Sequence, residues 1–546
     1  MGTSKVYNNL VGSSRKAKYP AVQGSELSIN MYPGKNGQQT YMESLPGMQK
    51  FLDIGGRCRG CYVSTIGLKS QASTEDLFAC MGNTLYRIDY SGNMTALGTL
   101  ASNASRISFA EAGGPRALLL VVDGAAMYYY DLLEGGQLKQ ITLPERINGN
   151  GGTITPSFVS VVAGSIVVND SGSGYVYYSK AYPLNSDKRQ MFDIQNGAVQ
   201  YEDDGVTVKM VEVDSDQHVF EDDYGAQQYF SGESSSDNVN GLIAVGPTLY
   251  VFGQKSVDVF QRGSGEYEDW IRTSYTTTNS FGLEAPNSLA SIGGSVYFIA
   301  SGAQYGKCIM KMTGTAWEKC SEEWLDEKLL QENTNSAYGM CYSVGEHQFY
   351  CVQLNGIGET WCLDSMDNGW HQRTSIDQKT KMETQWRAGA IAYYREKFWT
   401  FTNDGLMCRF HSDYWLEDFP DGHSEPMVRT RQTSVITDSF RPFTFEELTI
   451  ECNTGTQRNY NRVSPTHQVV DKEMPKVMLR VSRDGGMSFG NTRTAYFGNK
   501  GEYSHRVRFM NLGANRLCVI RVTFSEPMDF VMTACSIRAE ATAEEI

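Results

Sequence analysis

A two-strand phrase recurs seven times along this chain of 546 residues. Each copy contains an apolar strand, a short turn with Gly, Asn or Asp, and a second strand that ends in a polar or aromatic residue. The copies occupy residues 77–89, 117–131, 165–179, 242–262, 295–312, 347–364 and 397–410. Apolar and polar residues alternate within each copy, which is typical of antiparallel strands with one buried face. The spacing of about 40 to 55 residues, with one longer gap, predicts the four-stranded blades of a β-propeller.

The repeats and the segments around them predict an all-β chain in three parts. Residues 45–425 are predicted to form a propeller of six to seven blades, with an acidic insertion on its rim at about 183–240. Residues 426–546 are predicted to form a C-terminal β-sandwich, because short strands follow one another with turn residues between them. Residues 1–44 contain no blade pattern, so we expect an extended N-terminal arm. An arm without its own core must bury its apolar residues against something else, namely Val11, Leu27, Ile29, Met31 and Tyr32.

The sandwich strands and one helix can be placed from local pattern. The strands are predicted at 434–436, 443–452, 477–482, 502–509, 517–523 and 534–539. A helix is predicted at 321–331, because Trp324, Leu325 and Leu329 form an apolar stripe and the glutamates near its start favour the helix dipole.

The twelve cysteines are expected to be reduced thiols. The N-terminus has no apolar secretion signal, and no run of about 20 apolar residues predicts a membrane span. The chain is therefore expected to be made in a cytoplasm, where thiols stay reduced. Most cysteines lie in strand patterns and are expected to act as small apolar core residues: Cys80, Cys308, Cys351, Cys362, Cys408 and Cys518. Cys58 and Cys61 form a C-x-x-C, which is half of a zinc motif or simply two strand residues, and no second pair follows at a suitable spacing.

The sequence contains no recognisable catalytic motif. None of the seven histidines forms H-E-x-x-H, and there is no nucleophile elbow, Walker loop or dinucleotide fingerprint. We therefore predict no catalytic residue, no cofactor site and no metal site. Residues 482–489 (SRDGGMSF) resemble the Asp-box of sialidases with Phe in place of Trp, which is a hairpin turn in which Asp and Ser bond turn amides. The formal charge of −14 argues against a general nucleic-acid-binding protein, which needs a basic face.

Four segments together resemble the phage stabilisation protein family, the tail nozzle or tail accessory factor of short-tailed bacteriophages. They are 28–33 (SINMYP) with 45–47 (LPG), 240–243 (NGLI) with 249–260 (LYVFGQKSVDVF), 361–364 (WCLD) with 369–375 (GWHQRTS), and 501–509 (GEYSHRVRF) with 512–513 and 519–522. They span most of the chain in the family's order. The acidic insertion and the acidic blade loops are larger than the family pattern.

The resemblance implies a structural virion protein and not an enzyme. It implies a homohexameric ring below the portal and the head-to-tail adaptor, which extends the DNA channel and helps to retain packaged DNA. It also implies contacts with a tail needle or plug and with tailspikes or fibres, in a virion assembled in the host cytoplasm. Double-stranded DNA would pass without specific binding. The arm would then pack on the sandwich and on ring neighbours.

Two other interpretations remain open at this point. One is a glycan-binding or carbohydrate-active propeller in a phage tail, which predicts an acidic or aromatic pocket at the propeller axis. The other is a plain propeller scaffold in a cellular complex. A nozzle differs from both by forming a ring on the adaptor.

Overall fold

The structure, a computed structural model, has two β-rich bodies joined by the N-terminal arm. It describes residues 26–36, 39–66, 75–103, 106–113, 117–147, 152–181, 237–263, 270–275, 281–411, 413–437, 441–455, 475–499 and 501–541, together with Ser4–Val6, Leu10 and short stretches between 188 and 232. The arm and its continuation contain the strands β1 (Ser4–Val6), β2 (Leu27–Ile29), β3 (Met31–Asn36), β4 (Gln39–Ser44) and β5 (Gly47–Asp53).

Seven antiparallel sheets follow in chain order, and each is one blade. Blade 1 contains β6 (Cys58–Ser64), β7 (Asp76–Met81), β8 (Thr84–Ile88) and β9 (Met94–Thr99), and blade 2 contains β10 (Ser108–Ala112), β11 (Leu118–Val122), β12 (Met127–Asp131) and β13 (Lys139–Ile141). Blade 3 begins with β14 (Val159–Val162), β15 (Ser165–Asn169) and β16 (Tyr175–Ala181). These are followed along the chain by β17 (Lys188–Gln190), β18 (Phe192–Asp193), β19 (Ala198–Val199), β20 (Met210–Glu212) and β21 (Tyr229–Ser231). In blade 3, β21 is the fourth strand, while β17–β20 form two separate two-stranded ladders between β16 and β21. Most of the acidic segment around these ladders lies outside the described residues.

The remaining blades repeat the same plan. Blade 4 contains β22 (Val239–Val245), β23 (Thr248–Gly253), β24 (Val257–Arg262) and β25 (Trp270–Tyr275), and blade 5 contains β26 (Phe281–Leu283), β27 (Ala290–Ile292), β28 (Ser295–Gly302), β29 (Gly306–Thr313) and β30 (Ala316–Lys319). Blade 6 contains β31 (Tyr338–Val344), β32 (His347–Leu354), β33 (Glu359–Asp364) and β34 (Gly369–Ile376), with β35 (Glu383–Gln385) paired to β34. Blade 7 contains β36 (Ala388–Tyr394), β37 (Lys397–Thr402) and β38 (Leu406–His411). The seven sequence repeats coincide with the central strands of the seven blades, so the predicted β-propeller is confirmed.

The blades close into a ring around a central axis. The first strands of neighbouring blades lie side by side, as in the pairs β6–β10, β10–β14, β14–β22, β27–β31, β31–β36 and β36–β6. The ring is fastened by β5, which pairs antiparallel with β38 as the outer strand of blade 7, from Leu406 opposite Asp53 to His411 opposite Gly47. The first residues after the arm therefore complete the last blade. Two short strands, β39 (Leu416–Asp418) and β40 (Ser424–Pro426), extend this sheet beyond β5.

The C-terminal part is the predicted β-sandwich. Its own strands are β41 (Arg429–Gln432), β42 (Phe443–Cys452), β43 (Lys476–Ser482), β44 (Arg493–Tyr496), β45 (Val507–Asn515), β46 (Val519–Phe524) and β47 (Met532–Ala541). One sheet has the order β3-β4-β47-β42-β45, with β1 paired to β47; the other runs β2-β41-β46-β43-β44. Their apolar faces enclose one buried core, which includes Leu448, Ile450, Leu479 and Phe524.

Four of the predicted sandwich strands agree with the structure within three residues at either end, and two differ. At 434–436 the structure has only a bridge between Ile436 and Cys518, and β45 begins at Val507 instead of residue 502. β41 and β44 were not predicted. β41 is fully buried although every residue in its RTRQ sequence is polar, which no hydrophobic pattern detects.

The predicted helix is confirmed as α1 (Glu323–Gln331), with Trp324, Leu325 and Leu329 buried. It packs on β29 between blades 5 and 6. No helix in the described part of the chain has the length and apolarity to cross a membrane.

Candidate assembly site at the propeller–sandwich junction

The three-residue strand β2 lies between the propeller and the sandwich and bonds to both. On one side it pairs parallel with β34 of blade 6, where Ile29 lies opposite Gln372. On the other side all three residues pair antiparallel with β41. The sheet of blade 6 thereby continues through β2 into the sandwich. A continuous hydrogen-bonded sheet resists bending far more than a peptide linker does, so the two bodies are held at a fixed angle.

The first two residues of β3, Met31 and Tyr32, divide their side chains between the two bodies. Successive side chains on a strand point to opposite faces. Met31 is accordingly part of the sandwich core, whereas Tyr32 lies in the apolar cluster between blades 6 and 7. Ile29, Met31 and Tyr32 are buried, as the sequence predicts for an arm without its own core, and Leu27 is half-buried. Val11 lies outside the described residues.

Asn30 links three separate segments from one buried position. Its backbone has a φ of 54°, in the left-handed region where Asn is tolerated. Its Nδ2 donates to the Val428 carbonyl at 2.8 Å and to the Thr374 carbonyl at 3.1 Å, and its Oδ1 accepts from the Thr374 amide at 3.1 Å. The arm, blade 6 and the linker into β41 are thus bonded through one side chain.

Three fully buried arginines surround this junction. Arg373 of β34 lies over the ring of Trp386 at 4.3 Å and donates to the Pro46 carbonyl at 3.3 Å. Arg429 donates from Nη1 to the Met528 carbonyl at 2.5 Å and from Nη2 to the Glu526 carbonyl. Burial lowers the pKa of Arg429 to about 9, against the opposing effect of Asp529 and Glu526.

Arg431 attaches the beginning of the chain to the same place. Its Nη2 forms an ion pair with Glu26 at 2.9 Å, and its Nε donates to the Leu10 carbonyl at 3.0 Å. Leu10 itself is buried in the sandwich core. Burial lowers the pKa of Arg431, and Glu26 partly offsets this. An unpaired buried guanidinium is costly, so these bonds require the arm to stay in place.

A carboxylate–histidine cluster lies where the β3–β4 hairpin meets blade 6. His347 Nδ1 and the Asp364 carboxylate are 2.5 Å apart, and this hydrogen bond raises the pKa of His347. The ring of His347 contacts Tyr32 edge-on at 4.7 Å. Burial raises the pKa of Glu43, which accepts a hydrogen bond from the Tyr32 hydroxyl.

His371 of β34 is fully buried, and neither ring nitrogen has a hydrogen-bond partner among the described residues. Burial, followed by the nearby charge of Arg373 and by His347, lowers the pKa of His371 to about 3. The ring is therefore neutral at physiological pH and packs edge-on against Phe349 at 5.1 Å.

The propeller axis contains a cavity of about 530 Å³ lined by the first strands of several blades, and a second of about 280 Å³ that shares part of its lining. Arg106 lies at the boundary between them. It donates to the Asn287 carbonyl at 2.5 Å and lies over the Tyr338 ring at 4.4 Å. Because these contacts come from blades 5 and 6, Arg106 crosses the axis and joins opposite sides of the ring.

Cys58 and Cys61 both lie on β6 at the inner side of blade 1. Cys58 Sγ donates to the Gly60 carbonyl at 3.2 Å. Burial raises the pKa of Cys58 to about 12 and also raises that of Cys61, so both thiols are protonated at physiological pH. No group of three His, Cys, Asp or Glu in the described residues is arranged to hold a metal ion.

Two cysteines depart from the expectation of free thiols. Cys351 and Cys362 form a disulfide, whereas the other ten are free. These two residues lie directly opposite each other on β32 and β33, with Cα atoms 4.1 Å apart. The expectation failed because sequence pattern identifies both strands but not their register.

Residues 482–489 form the predicted hairpin turn. Ser482 Oγ donates to the Asp484 carboxylate at 2.6 Å and accepts from the Gly486 amide at 2.8 Å. The Ser488 amide donates to Asp484 at 2.9 Å, and these hydrogen bonds lower the pKa of Asp484. Phe489 lies beneath the Arg521 guanidinium at 4.0 Å. The motif stabilises a turn of the sandwich.

Several residues of the junction lie in sequence segments that were singled out above, but their role in joining the two bodies was not predicted. Asn30 and Arg373 fall within the segments 28–33 and 369–375, which carry the family resemblance. Arg429 and Arg431 gave no signal, because charged residues ordinarily predict exposure. Bringing these residues together depends on pairing between positions up to 421 apart along the chain, as for Leu10 and Arg431.

Comparison with known proteins agrees with this architecture. A family model described as bacteriophage P22 Gp10, β-propeller, matches residues 13–406, and a second, bacteriophage P22 Gp10, β-sandwich, matches residues 429–540. No curated protein matches the chain. Similar solved structures include a catalytically inactive virginiamycin B lyase from Staphylococcus aureus with quinupristin (10% identity, 66% of this chain and 97% of that one, TM-score 0.37) and the N-terminal domain of Nup159 (11% identity, 70% and 99%, TM-score 0.34). At these TM-scores the similarities carry no argument about function.

The two family models follow each other in the order of the two bodies, and together they cover most of the chain. The chain therefore belongs to the family of bacteriophage P22 Gp10, the phage stabilisation protein, which is a structural protein of the phage tail.

Proposed function

We propose that this chain forms the tail nozzle of a short-tailed phage, as a ring of six copies below the portal and adaptor. The ring extends the DNA channel, helps to retain the packaged genome, and holds the tail needle and the spikes or fibres. The protein acts in the virion after assembly in the host cytoplasm, and it has no enzymatic activity. The match of both bodies to one tail-protein family is the observation that carries this proposal.

The rigid junction supports a role as a wall element. A ring that retains a genome under pressure needs subunits that do not bend between their two bodies. In this chain β2 continues one sheet from blade 6 into the sandwich, and Asn30 bonds the arm to both sides. The domain division at 1–44, 45–425 and 426–546 is proposed on the same ground, with the arm and the sandwich forming the tier that contacts ring neighbours and adaptor.

The charge of the chain is divided between these tiers. Residues 45–425 contain 27 Lys and Arg against 47 Asp and Glu, a formal charge of −20. Residues 1–44 and 426–546 together contain 21 Lys and Arg against 15 Asp and Glu, a formal charge of +6. A negative wall repels DNA and lets it slide without binding. Where propellers line the channel, DNA is therefore expected to slide without binding, and a ring whose whole lumen is lined with Lys and Arg would contradict this.

The first test is assembly with the neighbouring tail proteins. The purified chain is mixed with portal and adaptor and imaged by negative-stain electron microscopy. The expected result is a six-fold ring that caps the adaptor. A chain that remains monomeric and leaves the adaptor uncapped would refute the nozzle.

The second test concerns the arm. Deleting residues 1–10 removes β1 and the Leu10 anchor while leaving β2 and the propeller intact. We expect loss of ring assembly with an unchanged circular dichroism spectrum of the propeller. Normal rings from this variant would show that the first part of the arm has no role in assembly.

A further inference from the structure

One edge of the sandwich carries several exposed apolar residues. Both sheets end on this side, at β44 and β45, which lie against each other. Arg493 of β44 closes the gap by donating to the carbonyls of Met510 and Asn511 at 2.8 and 2.9 Å. All the large exposed apolar side chains of the described sandwich fall within residues 487–510, around β44 and β45: Met487 in the turn between β43 and β44 (82% exposed), Tyr496 (56%), Tyr503 (73%) and Met510 (55%). We call this surface the sandwich edge.

The sandwich edge is also basic. Residues 476–516 contain eight Lys and Arg against two Asp and Glu, and two of these cations, Arg506 and Arg508, form ion pairs with Glu451 and Glu447. Lys476 is exposed and pairs across the strands with Tyr496, so a positive charge lies next to an exposed ring. Tyr, Met and Arg are the residues enriched in protein–protein interfaces, and lysine is depleted there. Exposed apolar side chains along one edge of the sandwich indicate a surface that is covered in the assembled state.

A surface of opposite charge exists on the propeller of the same chain. Residues 318–332, which contain α1, have six Asp and Glu against two Lys, and both lysines are engaged in ion pairs, with Asp326 and Glu359. Leu330 of α1 is 63% exposed, and Glu323 in its first turn is exposed. This surface therefore combines an exposed apolar side chain with negative charge, as the sandwich edge combines apolar side chains with positive charge.

We propose that the sandwich edge binds the propeller of a second copy of this chain at the surface around α1. Two different, complementary surfaces on one subunit make a head-to-tail contact, which is the type that closes into rings. The proposal rests on the proposed nozzle and assigns the surfaces through which its subunits meet. The positive charge of the sandwich edge favours an acidic partner such as the propeller. DNA, which is also negatively charged, is the competing partner for this basic surface.

The test begins with two exposed side chains that make no buried contact. The variant Tyr496→Ser with Met510→Ser is compared with a matched control, Val206→Ser with Ile271→Ser, whose side chains are 80% and 56% exposed on the propeller away from α1. Each full-length protein is analysed by sedimentation velocity over a concentration series, alone and with portal and adaptor. We expect the edge variant to need about tenfold more protein for half-assembly, as for truncated aromatic anchors, and the control to match wild type.

A charge exchange identifies the partner surface. Lys476→Glu and Glu323→Lys should each weaken assembly, because each places like charges opposite one another, and the combined variant should restore it. Equal assembly of the edge variant and wild type would refute the interface while leaving the nozzle intact. Failure of wild type to form any ring, with or without portal and adaptor, would refute the nozzle and the interface together.

Binding to DNA provides the discriminating outcome. A fluorescent DNA duplex is titrated with the same variants at fixed salt. If Lys476→Glu weakens DNA binding and leaves self-assembly unchanged, the sandwich edge is a DNA-contacting surface and the proposal is wrong. Loss of assembly with unchanged DNA binding supports the proposal.

Discussion

Asn30 is predicted to hold the propeller and the sandwich together, and a short series of substitutions separates its backbone from its side chain. Asn30→Gly keeps a residue that adopts the left-handed φ of 54° but removes the side chain. Asn30→Ala removes the same bonds and adds the cost of the left-handed backbone. Asn30→Asp keeps the acceptor for the Thr374 amide, but it turns a negative charge toward the Thr374 and Val428 carbonyls.

The expected cost follows from these contacts. The side chain makes three buried bonds to backbone groups, which contribute about 1 kcal/mol each, so Asn30→Gly should destabilise the junction by about 3 kcal/mol. Asn30→Ala should cost about 1 to 2 kcal/mol more. Asn30→Asp should cost at least as much as Asn30→Gly, because a carboxylate is buried beside two carbonyl oxygens.

The assay must resolve the junction from the rest of a two-body protein. Differential scanning calorimetry reports whether the propeller and the sandwich unfold together or in separate transitions, and hydrogen exchange locates the opening. In wild type we expect β2 and β41 to be among the most protected strands. In Asn30→Gly we expect faster exchange in both strands and two resolved transitions.

Asn368 provides the control, since it also has a φ of 54° but lies exposed in a turn of blade 6. Asn368→Ala carries the backbone cost without the buried bonds, so its effect should stay at about 1 to 2 kcal/mol. If Asn30→Gly showed the hydrogen-exchange rates and the calorimetric transitions of wild type, the Asn30 side chain would not couple the two bodies, and this prediction would be wrong.

Three further predictions concern buried polar groups. His371→Phe should be neutral or stabilising at pH 7, and it should reduce the loss of stability on acidification. In wild type the unfolded chain binds a proton at this histidine below about pH 6.5 while the buried ring, with a pKa of about 3, does not, so the free energy of unfolding falls by up to about 1.4 kcal/mol per pH unit between these values. An unchanged slope in pH-dependent urea unfolding would contradict this. Glu26→Gln leaves the buried Arg431 without its anionic partner and should cost about 3 kcal/mol in urea unfolding, whereas Glu346→Gln, at an exposed position, should cost almost nothing. Arg106→Ala should cost about 2 kcal/mol and speed the labelling of Cys61, which lines the same cavity, by a thiol reagent; labelling at the wild-type rate would show that Arg106 does not close the axis.

Local pattern was enough to predict the propeller and most of the sandwich. A two-strand repeat needs only short-range information, since the alternation of apolar residues and the turn between them are both contained in some 15 residues. The same holds for α1, whose apolar stripe is visible in nine residues, and for the turn at 482–489, whose bonds join close neighbours. The order of the family segments added the tail-protein class.

The junction was decided by tertiary structure alone. β5 closes blade 7 from the other end of the propeller sequence, and β2 is three residues long, too short for any periodic signal. β41 consists of polar residues that are buried because they bond to the arm and to β46, so its composition predicts the opposite of its environment. The register that joins Cys351 to Cys362 likewise depends on how two strands align. A sequence specifies which face of a strand is apolar, whereas which distant strand covers that face depends on the free energy of the whole fold.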